Sequence, residues 1–148
     1  SADIYKFATT STTDGSGEFS FSELEFDTYT FTPTAAANIA TACPAHPLPL
    51  DPGINADLDL LLAPASPHSL RVSVVDPGGA PIPGAAVTLE RSGVPVERRT
   101  DSCGQAFFPD TGEHDDFRLE VAVLGYTAVA LDPFSVSGAD QHTVTLNP

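Results

Sequence analysis

Residues 69–89 read SLRVSVVDPGGAPIPGAAVTL, and this stretch decides the fold. Leu70, Val72 and Val74 alternate with Arg71, Ser73 and Val75, a period of two that predicts a strand with one buried face. Asp76-Pro77-Gly78-Gly79 must turn, since Pro77 presets φ and glycine accepts positive φ. Pro83-Gly84 makes a second bend, after which Ala85, Val87 and Leu89 alternate again. The stretch therefore reads as a strand pair, the first two strands of a small β-sandwich.

The composition agrees. The 148 residues suit one ordinary domain or two small ones, and 41% apolar content is enough for a core. Fourteen prolines and eleven glycines punctuate the chain, the pattern of many short strands joined by turns. A net charge of −14, with Lys6 the single lysine, repels phosphate backbones and anionic headgroups, so neither nucleic acid nor a membrane surface is an expected partner. Such a charge also keeps a chain soluble. No apolar run approaches the ~20 residues of a helical membrane span. With no methionine, Ser1 is not a translation start, and the chain is expected to be a processed product or a fragment. The two cysteines, Cys43 and Cys103, fit either a disulfide formed in an oxidising compartment or two buried thiols. With no CxxC, zinc-ribbon and redox motifs are excluded.

Along the chain, a strand is expected to begin at Ile4–Phe7 and run into the Ser/Thr tract 9–13. Others are expected at 19–24, around Phe19 and Phe21, and at Tyr29–Phe31, stopped by Pro33. Residues 34–46 read as a loop or short helix, Leu48–Leu50 as an edge strand around Pro49, 58–62 as a strand, and 63–67 as a Pro-rich linker. In the second half, strands are expected at 95–100, 106–108, 117–123, 128–131 and 142–146. Residues 111–116 read as a polar loop, and 132–140 as a loop with room for one more short strand.

The chain also repeats itself. Thr13-Asp14-Gly15-Ser16-Gly17-Glu18-Phe19-Ser20-Phe21 aligns with Thr100-Asp101-Ser102-Cys103-Gly104-Gln105-Ala106-Phe107-Phe108. In each, the Asp can cap a turn, the Gly supplies positive φ and the last Phe is expected to point inward. The residues before Thr13 are too few to match 69–99. The expectation is an all-β chain of two tandem Ig-like or transthyretin-like sandwiches: 1–64 incomplete, lacking its two N-terminal strands, and 65–148 complete with seven.

The run L-x-V-x-V-x-D-P-G-G-x-P-I-P-G-A-x-V-T-L, followed by T-D-x-x-G, an aromatic strand and Gly125-Tyr126, resembles the carboxypeptidase-regulatory-like domain. That resemblance implies a transthyretin-like or CnaB-like seven-stranded sandwich over 69–148. Residues 24–31, LEFDTYTF, and Cys43-Pro44 before Pro47-Leu48-Pro49-Leu50 are similar to tandem modules at the C-terminal end of bacterial prepilin-like surface proteins. This second resemblance implies an extracellular appendage and an inter-module disulfide between Cys43 and Cys103.

Few residues carry chemistry. CnaB-like domains often hold a Lys–Asn isopeptide bond. The second half has no lysine, and Lys6 lacks the accompanying Glu motif needed to join Asn38 or Asn55. His46, His68, His114 and His142 form no HxxE, HExxH or HxH, so no zinc peptidase is supported. Glu113-His114-Asp115-Asp116 reads as a solvated acidic loop, and Asp14–Glu18 lacks the alternating acids of a calcium loop. No cofactor or metal is expected, and no nucleophile triad stands out. Thr9, Thr10, Ser11, Thr12 and Thr13 are candidate O-glycan acceptors, while Asn-x-Ser/Thr is absent. The expected function is non-enzymatic: a structural subunit of an extracellular filament or pilus-like surface fibre. Copies would pair with one another by strand complementation, so the expected partner is the chain itself. The alternative is an adhesin or carbohydrate-binding accessory module with glycans as partners.

Overall fold

The computed structural model describes residues 7–34 and 36–148, and among these it is all β. The strands are β1 (Asp27–Tyr29), β2 (Ala37–Cys43), β3 (Leu48–Leu50), β4 (Asp59–Pro64), β5 (Ser69–Val75), β6 (Ala86–Arg91), β7 (Val94–Arg99), β8 (Gln105–Phe108), β9 (His114–Ala122), β10 (Val129–Val136) and β11 (Ala139–Thr145). The last seven form two facing sheets, ordered β10-β9-β6-β7 and β11-β5-β8. Their inward residues alternate as strand geometry demands. Leu70, Val72 and Val74 of β5, with Ala106, Phe108 and Val144, face Val87 and Leu89 of β6 and Phe117, Leu119 and Val121 of β9. Val87 sits opposite Val121 and Leu89 opposite Leu119, so two adjacent strands present one continuous apolar wall.

β5 and β6 are not a hairpin. β5 pairs with β8 and, in parallel, with β11, while β6 pairs with β7 and β9. The Pro83-Gly84 bend carries the chain from one sheet to the other. Ile82, buried, bridges the two layers, and its N–H donates to Val74 O at 2.9 Å. The second face of β5 also departs from expectation. Arg71 is only 5% exposed and Ser69 is buried, because residues N-terminal to the sandwich lie over them.

Those N-terminal residues form two two-stranded ribbons, β1–β3 and β2–β4. No ladder forms over 19–24: Phe19 and Phe21 pack edge-on at 5.3 Å and join Phe7, Tyr29 and Phe31 in an aromatic cluster, without a neighbouring strand for their backbone. Phe21 is accordingly half-buried, whereas Phe108 is in the core. β1 ends at Tyr29, and the Phe31 N–H turns to His46 Nε2, at 2.9 Å, instead of a partner strand. The alanine-rich stretch is strand β2, not a loop or helical turn. Its small side chains permit close docking, with Ala40 and Ala42 buried, so tertiary pairing overrides alanine's helical preference. The linker expected at 63–67 is fixed: Ala65 N–H donates to Ala36 O at 3.0 Å, and Ser66 is buried. β9 starts inside the expected polar loop, and β10 runs on to Val136 through a register shift beside Pro133. No strand occupies residues 7–13. Ile4, Tyr5 and Lys6, with the isopeptide question attached to Lys6, lie outside the described residues.

The repeated motif is a local turn. Asp14 Oδ1 accepts the N–H groups of Ser16 and Glu18, and Asp101 Oδ1 those of Cys103 and Gln105, all at 2.8–3.0 Å. The same turn recurs at Asp76, whose Oδ1 accepts from Gly78 and Ala80. The glycine three residues after each Asp has φ of +80, +85 and +71°, at Gly17, Gly79 and Gly104 respectively. Asp-x-x-Gly is therefore a recurrent solution to a tight turn, used twice within the sandwich itself.

Candidate functional site

The three-stranded sheet ends at β8, whose outer side is a sheet edge in need of cover. β2 supplies it. The Gln105 side chain acts as a surrogate peptide group: Oε1 accepts the Ala42 N–H at 2.8 Å, and Nε2 donates to Ala42 O at 2.6 Å. Both residues are buried, Ala42 completely, so each atom of this amide pair depends on the other. One residue further along, Cys43 and Cys103 form a disulfide, with Cα atoms 5.7 Å apart and 60 residues of separation. At the other end of β2, Asn38 Nδ2 donates to Ser66 O and Ser69 Oγ, each at 3.0 Å. Since Leu70 pairs with Phe108 and Ser73 with Gln105, these contacts run β2 antiparallel to β8.

The Thr100–Phe108 motif builds this seam. Thr100 Oγ1 donates to Ile82 O at 2.7 Å and accepts the Ala85 N–H at 2.8 Å, locking the approach to the turn. Asp101 folds the turn and presents Cys103 and Gln105 to β2. At Gly104 a Cβ would lie 2.6 Å from Val74 O, so glycine is required for clearance as well as for φ. In the Thr13–Phe21 copy, Ser16 and Glu18 take the places of Cys103 and Gln105 and are exposed. One copy thus clamps β2 and the other is a free surface turn. The role of Gln105 leaves no mark in the sequence beyond its place after the Gly.

Beyond the seam, among the described residues β4 pairs with β2 alone, which leaves the ribbon one open edge, and Leu61 and Leu62 are 62% and 50% exposed. β7, at the edge of the four-stranded sheet, is exposed throughout but carries Pro95 and the charges Glu97, Arg98 and Arg99, which discourage pairing.

A cavity of about 280 Å³ lies where the N-terminal residues cross the outer face of β5, lined among others by Phe31, Ile39, His46, Arg71, Phe107 and Asp140. Among the described residues, Arg71 Nη1 and His46 Nδ1, atoms of two of these lining residues, are buried without a hydrogen-bond partner. Burial, and next the charge of Arg71, lower the His46 pKa from its ordinary value. Burial likewise lowers that of Arg71.

The remaining candidates do not converge. Asp116 pairs with Arg91, which holds its carboxyl below the usual range, and Glu113 lies 3.7 Å from His68. His114 packs on the Phe117 ring. Among the described residues no group of three His, Cys, Asp or Glu side chains could hold a metal ion, and no helix is long and apolar enough to cross a membrane. Thr9, Thr10, Ser11, Thr12 and Thr13 are all exposed.

None of the curated proteins matches the chain. Among solved structures, the Bacillus anthracis TIE protein is 12% identical at a TM-score of 0.46, covering 61% of this chain and 20% of its own. A cohesin–X-dockerin complex from Acetivibrio cellulolyticus is 18% identical at 0.42, covering 53% of this chain and 56% of that one. The chain thus spans less than two thirds of either. The sequence pattern of the carboxypeptidase regulatory-like domain matches residues 69–147, the seven strands just described. More than half the chain is that domain, and the chain belongs to the carboxypeptidase regulatory-like family.

Proposed function

We propose that this chain is a structural subunit of an extracellular filament or pilus-like surface fibre, joined to its neighbours by β-strand complementation. The observation behind this reading is β4: a strand edge left open among the described residues, with two exposed leucines, on a ribbon anchored to a folded core by a disulfide. An incoming strand from a second copy would complete the ribbon's backbone pairing and cover Leu61 and Leu62. Head-to-tail contacts of that kind propagate into a fibre. On this reading residues 1–64 are an incomplete sandwich short of two strands, 65–148 are the complete one, and the chain has no enzymatic role. The disulfide suits an oxidising compartment. Negative-stain imaging and sedimentation of the concentrated protein test the proposal. Filaments are expected, and Leu61→Asp with Leu62→Asp is expected to abolish them. A monodisperse monomer with fully protected β4 amides would sink it.

A second reading, an adhesin or carbohydrate-binding accessory module, is favoured by the exposed rings of Phe7, Phe19 and Phe26 on the N-terminal residues. Glycan-array binding by a monomer, lost on substituting these rings, would support it.

A further inference from the structure

The outer face of the three-stranded sheet holds a charge that the described residues do not balance. Arg71 sits on the central strand, with Phe107 on one side and Gln141 on the other. It is 5% exposed, and its Nη1 is sealed from solvent with no acceptor. Burying a guanidinium without a partner is costly enough that structures normally supply one. The second orphan has the same polarity. His46 Nε2 accepts the Phe31 N–H at 2.9 Å, so the proton of the neutral imidazole is on Nδ1, a donor. Nδ1 is also buried without an acceptor.

The residues that carry these two unmatched donors, one of them cationic, both line one cavity. Asp140, the carboxylate on the lining, turns its Oδ2 to the Ser137 N–H at 2.8 Å and forms no ion pair with Arg71. Arg71 forms no ion pair among the described residues. The walls are apolar on two sides, from Phe31 and Ile39 of the N-terminal residues and Phe107 of β8. The volume, about 280 Å³, is at the lower limit of small-molecule sites.

We propose that this cavity binds the carboxylate of a small organic acid with an apolar or ring-shaped body. The carboxylate accepts from the Arg71 guanidinium and from His46 Nδ1–H, and the body lies against Phe31 and Phe107. A guanidinium beside a neutral imidazole donor matches the several lone pairs of one carboxylate. The apolar walls favour such an acid over a bare inorganic anion, and the net charge of −14 works against loosely held anions at the surface. The inference stands independently of fibre assembly.

The test uses the intact chain and sodium benzoate, with benzamide as the uncharged isostere and inorganic phosphate as a generic anion, read by NMR titration. Benzoate is expected to shift the Phe31 amide, the His46 ring and the Arg71 side-chain signals saturably, with benzamide and phosphate each at least about tenfold weaker. Arg71→Met should lower benzoate affinity by about tenfold or more. His46→Gln, which keeps an acceptor for the Phe31 N–H but loses the Nδ1 donor, should weaken it less. If Arg71→Met does not fold, the benzoate–benzamide pair on the unaltered chain together with His46→Gln decides the matter. Shifts that do not saturate, equal binding of benzamide or phosphate, or benzoate shifts remote from this cavity overturn the proposal. An Arg71 side chain found paired in solution with a carboxylate of this chain or of a second copy overturns it too.

Discussion

Replacing both cysteines with serine should release the N-terminal ribbons while leaving the sandwich folded. The core of the sandwich is drawn from Leu70 to Leu146. β2 and β4 are tied to it by the disulfide, the Gln105–Ala42 amide pair and the Asn38 contacts. The disulfide closes a loop of 60 residues, which in the chain-entropy description stabilises the native state by about 4 kcal/mol. At about 1.4 kcal/mol per factor of ten, that is roughly a thousandfold in the opening equilibrium of the ribbons. Hydrogen–deuterium exchange reads it segment by segment. In Cys43→Ser/Cys103→Ser protein, peptides spanning β2 and β4 should exchange about a thousandfold faster, whereas β5, β6 and β9 should change little. Reduction of the unaltered protein should give the same pattern. If protection across β2 and β4 falls by less than about tenfold, the disulfide does not hold the ribbons. If β9 loses protection in parallel, the chain unfolds as one unit and the separation of ribbon from core is refuted.

Gln105→Met keeps the volume but orphans the Ala42 N–H and C=O, and should cost about 2–4 kcal/mol in urea unfolding. Thr100→Val removes both partners of Ile82 O and Ala85 N in a buried turn and should cost a similar amount, while Thr100→Ser should recover most of it. Gly104→Ala drives a Cβ to 2.6 Å from Val74 O at φ +71° and should lose roughly 3 kcal/mol, whereas Gly17→Ala, with open space around it, should lose about 1 kcal/mol. His46 has a folded pKa below its unfolded value of 6.5, so below that pH the unfolded chain binds more protons than the native one. Stability should therefore fall as pH drops below about 6.5, levelling off below the folded value. His46→Gln should flatten that slope in a series of thermal melts.

The sequence by itself determined the sandwich. Alternation at Leu70, Val72 and Val74, and again at Phe117, Leu119 and Val121, names the buried face of each strand, because side chains of a strand alternate with period two whatever their neighbours. Asp-x-x-Gly names the turns for an equally local reason: the Asp carboxylate caps N–H groups two and four residues on. That locality also explains why the motif matched at two distant places and recurred at Asp76. The N-terminal residues were far less legible. Phe19 and Phe21 alternate as well as any core strand, yet they form a ring cluster without a ladder, since a strand exists only when another backbone lies beside it. Conversely β2, written in alanine, carries no pattern of its own and is a strand because the backbone of β4 lies beside it. The burial of Arg71, the amide clamp of Gln105 and the unpaired Nδ1 donor of His46 were decided only by the tertiary structure. Each depends on which distant segment crosses the outer face of β5, and that choice is made by packing and by the Cys43–Cys103 link between residues far apart in the chain.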